Sequence, residues 1–335
     1  MRLYIYFTFV FCFILSCSSP QSEKLQLGQA TELKAQEFEH EIIMSNPLGL
    51  EMIDNNLFIF QSTGEYAALI MNINNGSIID SWGIRGNGPG EFMYPLEWGI
   101  NRKEKMIYLH NLNRFQLRQY KYSNQELTLL KETSFKGLQS SVREATVLEN
   151  GNIIASVIYG NDKPLLLLNS QLDSLNNFGE LPDDEHKTID LRTYSSILSS
   201  YKNTFIQVMY DLGYLACYEQ KDDNTILKKW EYYLEKPIYK GSQLNRALLK
   251  RGFTDVKMTP NYIFCVYSGQ KWDLTSISDQ PKNILVFNHK GKLLTNFHLD
   301  RAIGKIAVSE DEKIIFAVSI EPDIDIVRYD IADRL

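Results

Sequence analysis

Asn56-Leu57-Phe58-Ile59-Phe60 is a short run of apolar and β-branched residues opened by a turn residue. Five further copies follow: Lys105-Met106-Ile107-Tyr108-Leu109, Asn152 to Val157, Thr204-Phe205-Ile206-Gln207-Val208, Tyr262-Ile263-Phe264-Cys265-Val266 and Lys313 to Val318. Their first apolar residues are 57, 106, 153, 205, 262 and 314, in steps of 49, 47, 52, 57 and 52. Six units of about fifty residues match the length of a propeller blade. Around each run the rest of a blade can be read. In the first unit a second strand, Ala67 to Ile73, is joined through Asn75-Gly76 to a third, Ser77 to Trp82. Asn-Gly between strand patterns marks a hairpin, because both residues tolerate positive φ. Lys290-Gly291 repeats this in the fifth unit, and Glu144–Leu148 supplies a preceding strand in the third. The expected fold is all-β, a six-bladed propeller of four-stranded antiparallel blades.

The last unit has only three strands, Ala302–Ser309, Lys313–Ile320 and Asp325–Ile331. A ring left open exposes two sheet edges. The missing strand is sought at the other end of the chain, in Glu32–Met44, which is expected to pair with Asp325–Ile331. Helical spacing is found only in Gly241–Arg251, through Leu244, Leu248 and Leu249; it reads as an excursion between blades four and five.

Composition agrees with a sheet protein. The 335 residues are 44% hydrophobic and include 19 Tyr and 17 Phe. The net charge of −6 and the lack of a basic run exclude a nucleic-acid partner. Two of the four cysteines, Cys12 and Cys17, lie near the start. Cys217 and Cys265 sit in apolar strands and are read either as two buried thiols or, in an exported chain, as a disulfide.

Residues 1–16, MRLYIYFTFVFCFILS, have the basic start and short apolar core of a signal peptide. The run is too short to span a bilayer as a helix. Ile14-Leu15-Ser16-Cys17 resembles a lipobox. The resemblance implies cleavage before Cys17, diacylglycerol on its sulfur and an acyl chain such as palmitate on the new N-terminus. Residues 17–31, which begin Cys-Ser-Ser-Pro-Gln-Ser, then read as a flexible tether and 32–335 as the propeller.

Residues 82–92 read Trp-Gly-Ile-Arg-Gly-Asn-Gly-Pro-Gly-Glu-Phe. The pattern Gly83, Arg85, Gly86, Gly88, Pro89, Gly90, Glu91, Phe92 resembles the blade-connecting motif of NHL-type and TolB-like six-bladed propellers. With the lipobox, the chain resembles TolB-like propeller lipoproteins of Gram-negative bacteria. That implies a cell-envelope protein anchored by lipid, most naturally to the outer membrane, with its domain in the periplasm or on the cell surface. A phosphate loop is disfavoured, because neither Gly-Lys-Ser/Thr nor a convincing helix follows the glycines. Arg85 and Glu91 are placed to pair across the turn.

No catalytic constellation emerges. His40, His110, His186, His289 and His298 show no metal-ligand spacing. The acidic runs Asp183-Asp184-Glu185, Asp222-Asp223 and Glu310-Asp311-Glu312 read as solvated turns, without a calcium-loop pattern. No metal or cofactor is expected. Residues just before the innermost strands are the better candidates: Arg143, Arg192, Tyr194, Arg251 and Arg301 could line an anion-reading channel mouth. Inter-blade salt bridging through Glu144, Asp190, Asp255 and Asp300 is the competing use of these arginines. The expected function is a binding or scaffold module for a peptide, glycan or protein partner. A metal-dependent hydrolase or lyase, and a purely structural envelope protein, are the alternatives.

Overall fold

The computed structural model describes residues 23–335, apart from 41, 45, 89, 93–94, 112–115, 135–141, 159–161, 181–193, 223, 242 and 273–279. The signal peptide, Cys17, Pro89, Arg192 and the first acidic run lie outside the described residues. Six antiparallel sheets follow one another along the chain. Their innermost strands are Pro47–Ile53, Pro95–Asn101, Val142–Val147, Ser196–Tyr201, Phe253–Met258 and Ile303–Val308. Each lies against the next, and the sixth against the first, so the ring is closed. The predicted six-bladed propeller is the fold observed.

The sequence makes this ring because a middle strand of a blade is covered on both faces by its neighbours. Leu165–Leu168 and all but the first residue of Tyr262–Tyr267 are buried. Burial on both faces calls for continuous apolar runs rather than alternation. The core accordingly divides into six clusters, one at each blade interface. An outermost strand has no such cover: Glu126–Ser134 of blade two is exposed along most of its length.

Closure occurs where the sequence places it. Gln36–Glu37 forms the fourth strand of blade six, with Gln36 opposite Arg328 and Glu37 opposite Val327. Nε of Arg328 donates to Oε1 of Gln36 at 2.9 Å. Phe38 then meets Phe316 edge-on, at 5.8 Å between ring centroids.

The chain before this strand differs from the expected tether. From residue 23 it is paired, as a belt around three blades. Glu23–Lys24 runs parallel to Tyr232–Tyr233 on the edge of blade four, and Thr31–Leu33 parallel to Phe297–Leu299 on blade five. The reason is apolar alternation too short to read as a strand. Leu25 and Leu27 pack against the blade four–five core, and Leu33 is buried between blades five and six.

Cys217 and Cys265 are free thiols, both fully buried at the interface of blades four and five. Burial pushes both pKa values up, that of Cys217 to about 12, so neither forms a thiolate near neutral pH. Gly241–Arg251 is an excursion, as expected, but not an α-helix. Tyr239–Lys240 pairs with Gln243–Leu244, and a single 3-10 turn follows at Arg246–Leu248. Leu244 and Leu249 are buried, while Leu248 points outward.

Candidate binding site: a channel with two unlike mouths

The innermost strands run side by side, so the channel has a leading face, where they begin, and a turn face, where each folds back into its second strand. The residues chosen from sequence belong to the leading face. Arg143 lies in an innermost strand, but its side chain is outside the described residues. Tyr194 is buried between blades three and four, its hydroxyl 2.5 Å from that of Tyr239. Arg301 lies 3.9 Å from the exposed Glu37 of the closing strand. Arg251 is only 9% exposed. Its guanidinium carbon lies 4.9 Å from the Trp272 ring centroid and 6.0 Å from that of Tyr210. Cation–π contact of this kind favours a desolvated arginine. Arg251 Nε has no hydrogen-bond partner among the described residues. Tyr194, Arg251 and Arg301 thus have separate partners. Beside Arg251, Arg246 bonds Asp211, whose carboxyl burial pushes up although Arg246 and Arg251 pull it down.

The Gly-rich stretch is a plug between blades one and two. Phe92 is buried, 5.3 Å from Trp82 and 6.3 Å from Tyr120 between ring centroids, and Arg118 lies 4.8 Å over its ring. The Glu91 carboxylate accepts the Gly88 N–H at 2.5 Å. A Cβ on Gly86 would stand 2.1 Å from its oxygen, so a side chain there requires the Glu91 carboxylate to move. Arg85 turns the other way and donates to the carbonyls of Gly64 and Gln61, at 2.7 and 2.8 Å.

Mid-channel, the six strands enclose a cavity of about 80 Å³, room for two or three waters at roughly 30 Å³ each. Its charges neutralise one another. Lys257 donates to Glu51, both side chains being only 7% exposed, and Arg102 lies 3.3 Å from the same carboxylate. Asp255 accepts the Ile306 N–H at 2.8 Å, with Lys305 Nζ 3.9 Å away. The channel is therefore blocked by its own ion pairs.

Above this plug the turn face opens into a cup of about 400 Å³, within the size range of small-molecule sites. Every blade contributes a turn: Asp54, Lys103, Glu149, Lys202, Pro260 and Glu310 form the rim in blade order. Ile100, Val147 and Val308 give the wall its apolar part. Lys103 lies 3.7 Å from Glu149, and Glu310 accepts the Asp54 N–H at 2.9 Å. Lys202 Nζ lies 5.4 Å over the Tyr201 ring and makes no ion pair among the described residues. Positive and negative groups thus alternate over much of the rim, above a partly apolar wall.

The rim escapes a reading of single turns, since each looks like an ordinary solvated hairpin. It becomes visible only when the six repeats are aligned and the same turn is taken from each. Where they are described the acidic runs lie in turns, but Glu312, expected to be solvated, is buried. Asp222 accepts the Thr225 N–H at 2.8 Å, and Glu312 accepts two bonds from Asn261 at 2.8 and 2.7 Å. Among the described residues no group of three His, Cys, Asp or Glu could hold a metal ion. No helix among them is long and apolar enough to cross a membrane.

A closed ring of six four-stranded blades around a blocked axis defines a six-bladed β-propeller. The TolB-like 6-blade propeller-like family matches residues 24–311, and the chain belongs to that family. Solved structures share the fold at low identity. A Bacteroides fragilis protein inferred to be exported is 13% identical, with a TM-score of 0.58, over 89% of this chain and 93% of its own. A DUF4221-family protein of Bacteroides vulgatus is 11% identical, with a TM-score of 0.57, over 90% and 96%. A Lactobacillus plantarum protein is 10% identical, with a TM-score of 0.51, over 84% and 81%. No curated protein sequence matches the chain.

Proposed function

We propose that this propeller is a lipid-anchored cell-envelope module that binds a peptide, glycan or protein partner in the cup on its turn face. The observation that carries the site is the cup itself: about 400 Å³, rimmed by turns of all six blades and closed below by paired charges. A concave, partly apolar site with a few polar groups is the usual form of a ligand pocket. Anchoring rests on Ile14-Leu15-Ser16-Cys17, and envelope location on that sequence together with the similarity to a Bacteroides fragilis protein inferred to be exported. The outer membrane, with the domain in the periplasm or on the cell surface, is the setting this suits best. A second reading puts the ligand on the leading face, an anion against Arg251, whose Nε is unpaired among the described residues.

A melting screen of the detergent-solubilised full chain against peptides and glycan fragments separates the two. A ligand of the cup raises the melting temperature of the wild type and of Arg251→Ala. Tyr201→Ala weakens it about 30-fold, the effect of losing a central aromatic contact worth roughly 2 kcal/mol. Lys202→Glu weakens an anionic ligand similarly. A ligand whose effect disappears in Arg251→Ala and persists in Tyr201→Ala moves the site to the leading face.

A further inference from the structure

We propose that the connection between blades four and five, residues 235–252, is a surface that rests on an anionic lipid bilayer. The inference builds on the Cys17 anchor proposed above. The first ground is composition. The whole chain carries a net charge of −6, yet this stretch holds Lys236, Lys240, Arg246, Lys250 and Arg251 against the single acid Glu235. All but Arg251 of these bases are exposed. Among the described residues, Asp211, on the blade-four turn that faces Arg246, pairs with it, and Glu235 lies 3.6 Å from Lys250. The stretch by itself is net positive.

The second ground is local structure. Asn245 N–H donates to the Ile238 carbonyl at 2.7 Å, and the buried Leu244 and Leu249 fasten the segment to the blade three–four core. Held in this way, the segment turns two large aliphatic side chains outward: Ile238, 41% exposed, and Leu248, 64% exposed. Leu248 stands between Arg246 and Lys250. Aliphatic groups flanked by exposed bases are the chemistry that inserts into the headgroup region of an anionic membrane.

The third ground is position. The belt enters the fold beside this connection: Glu23–Lys24 pairs with Tyr232–Tyr233, and Leu25 N–H donates to the Tyr233 carbonyl at 2.8 Å. Six residue steps separate Glu23 from Cys17. At ~3.5 Å per step they reach roughly 20 Å. A lipid on Cys17 therefore holds the outer edge of blade four close to the bilayer, with the basic connection next to the point of attachment. Blade one, three places away in the ring, is the far side.

The test uses full-length acylated protein in vesicles of phosphatidylethanolamine and phosphatidylglycerol carrying nitroxide-labelled lipid. A fluorophore is placed at Leu248→Cys or, for comparison, at Ile78→Cys on the outer strand of blade one; Cys217 and Cys265 are buried and stay unlabelled. The expected result is that emission from position 248 is mostly lost while that from position 78 is kept. Replacing Lys236, Lys240 and Lys250 by Glu restores the emission at 248, with the protein still floating with the vesicles and its melting temperature unchanged. Floating protein with 248 unquenched, or with 248 and 78 quenched alike, overturns the surface and leaves the anchor standing. Wild-type protein that stays in the aqueous fraction, as Cys17→Ser is expected to, overturns the anchor and the inference with it.

Discussion

Deleting residues 23–37 is expected to abolish cooperative folding of the monomer or to lower its melting temperature by about 10 °C or more. The belt is a small part of the chain, but it covers the outer edges of blades four, five and six. Its loss uncovers the core around Leu33, a residue of the kind whose truncation costs about 2–5 kcal/mol. It also removes the packing of Leu25 and Leu27 and a set of backbone hydrogen bonds, each worth about 1 kcal/mol. Together these approach the 5–15 kcal/mol that holds a typical protein folded, and a kilocalorie shifts the midpoint of a large domain by about 2 °C or more. The three freed edges would also pair between molecules. Thermal unfolding and size-exclusion chromatography measure both effects. A deletion variant that stays monomeric and melts like the wild type would show the belt to be decoration.

Glu51→Ala is expected to destabilise the fold by about 3–5 kcal/mol, the typical effect of breaking a buried ion pair. The variant strips Lys257, whose side chain is 7% exposed, of the Glu51 carboxylate to which it donates in mid-channel. Arg102, which shares that carboxylate, is better exposed and can turn towards the cup. Replacing both Glu51 and Lys257 by Met is expected to recover most of the loss, since two apolar groups leave no uncompensated charge. Urea unfolding of the single and double variants gives the comparison. A double variant as unstable as Glu51→Ala would mean that the channel depends on shape rather than charge balance.

How far the sequence speaks depends on how a feature is encoded. The blades were legible because their middle strands are buried on both faces, so runs such as Tyr262–Tyr267 recur at one spacing. Gly76, expected in a turn, is there at φ +72, where the Glu39 carbonyl would stand 1.9 Å from a Cβ. Closure by a strand within Glu32–Met44 followed from counting strands in the last unit, and Gln36–Glu37 is the part of it that pairs there. The rest of the belt was not legible, because pairings of two and three residues carry no measurable period. The cup was missed for a different reason: it has no motif and exists only as the sum of six turns separated by about fifty residues each. On the leading face, position before an innermost strand did not fix direction. Tyr194 turns inward to Tyr239, Arg301 towards Glu37, and Arg251 between Tyr210 and Trp272.

Binding in the turn-face cup is tested most directly by a photo-crosslinking residue placed at Lys202, on the rim, or at Arg301, on the leading face, with each variant expressed in the native host. The account predicts a discrete covalent adduct from position 202 that disappears when Tyr201→Ala is added, and none from position 301. An adduct from 301 with none from 202 would contradict it.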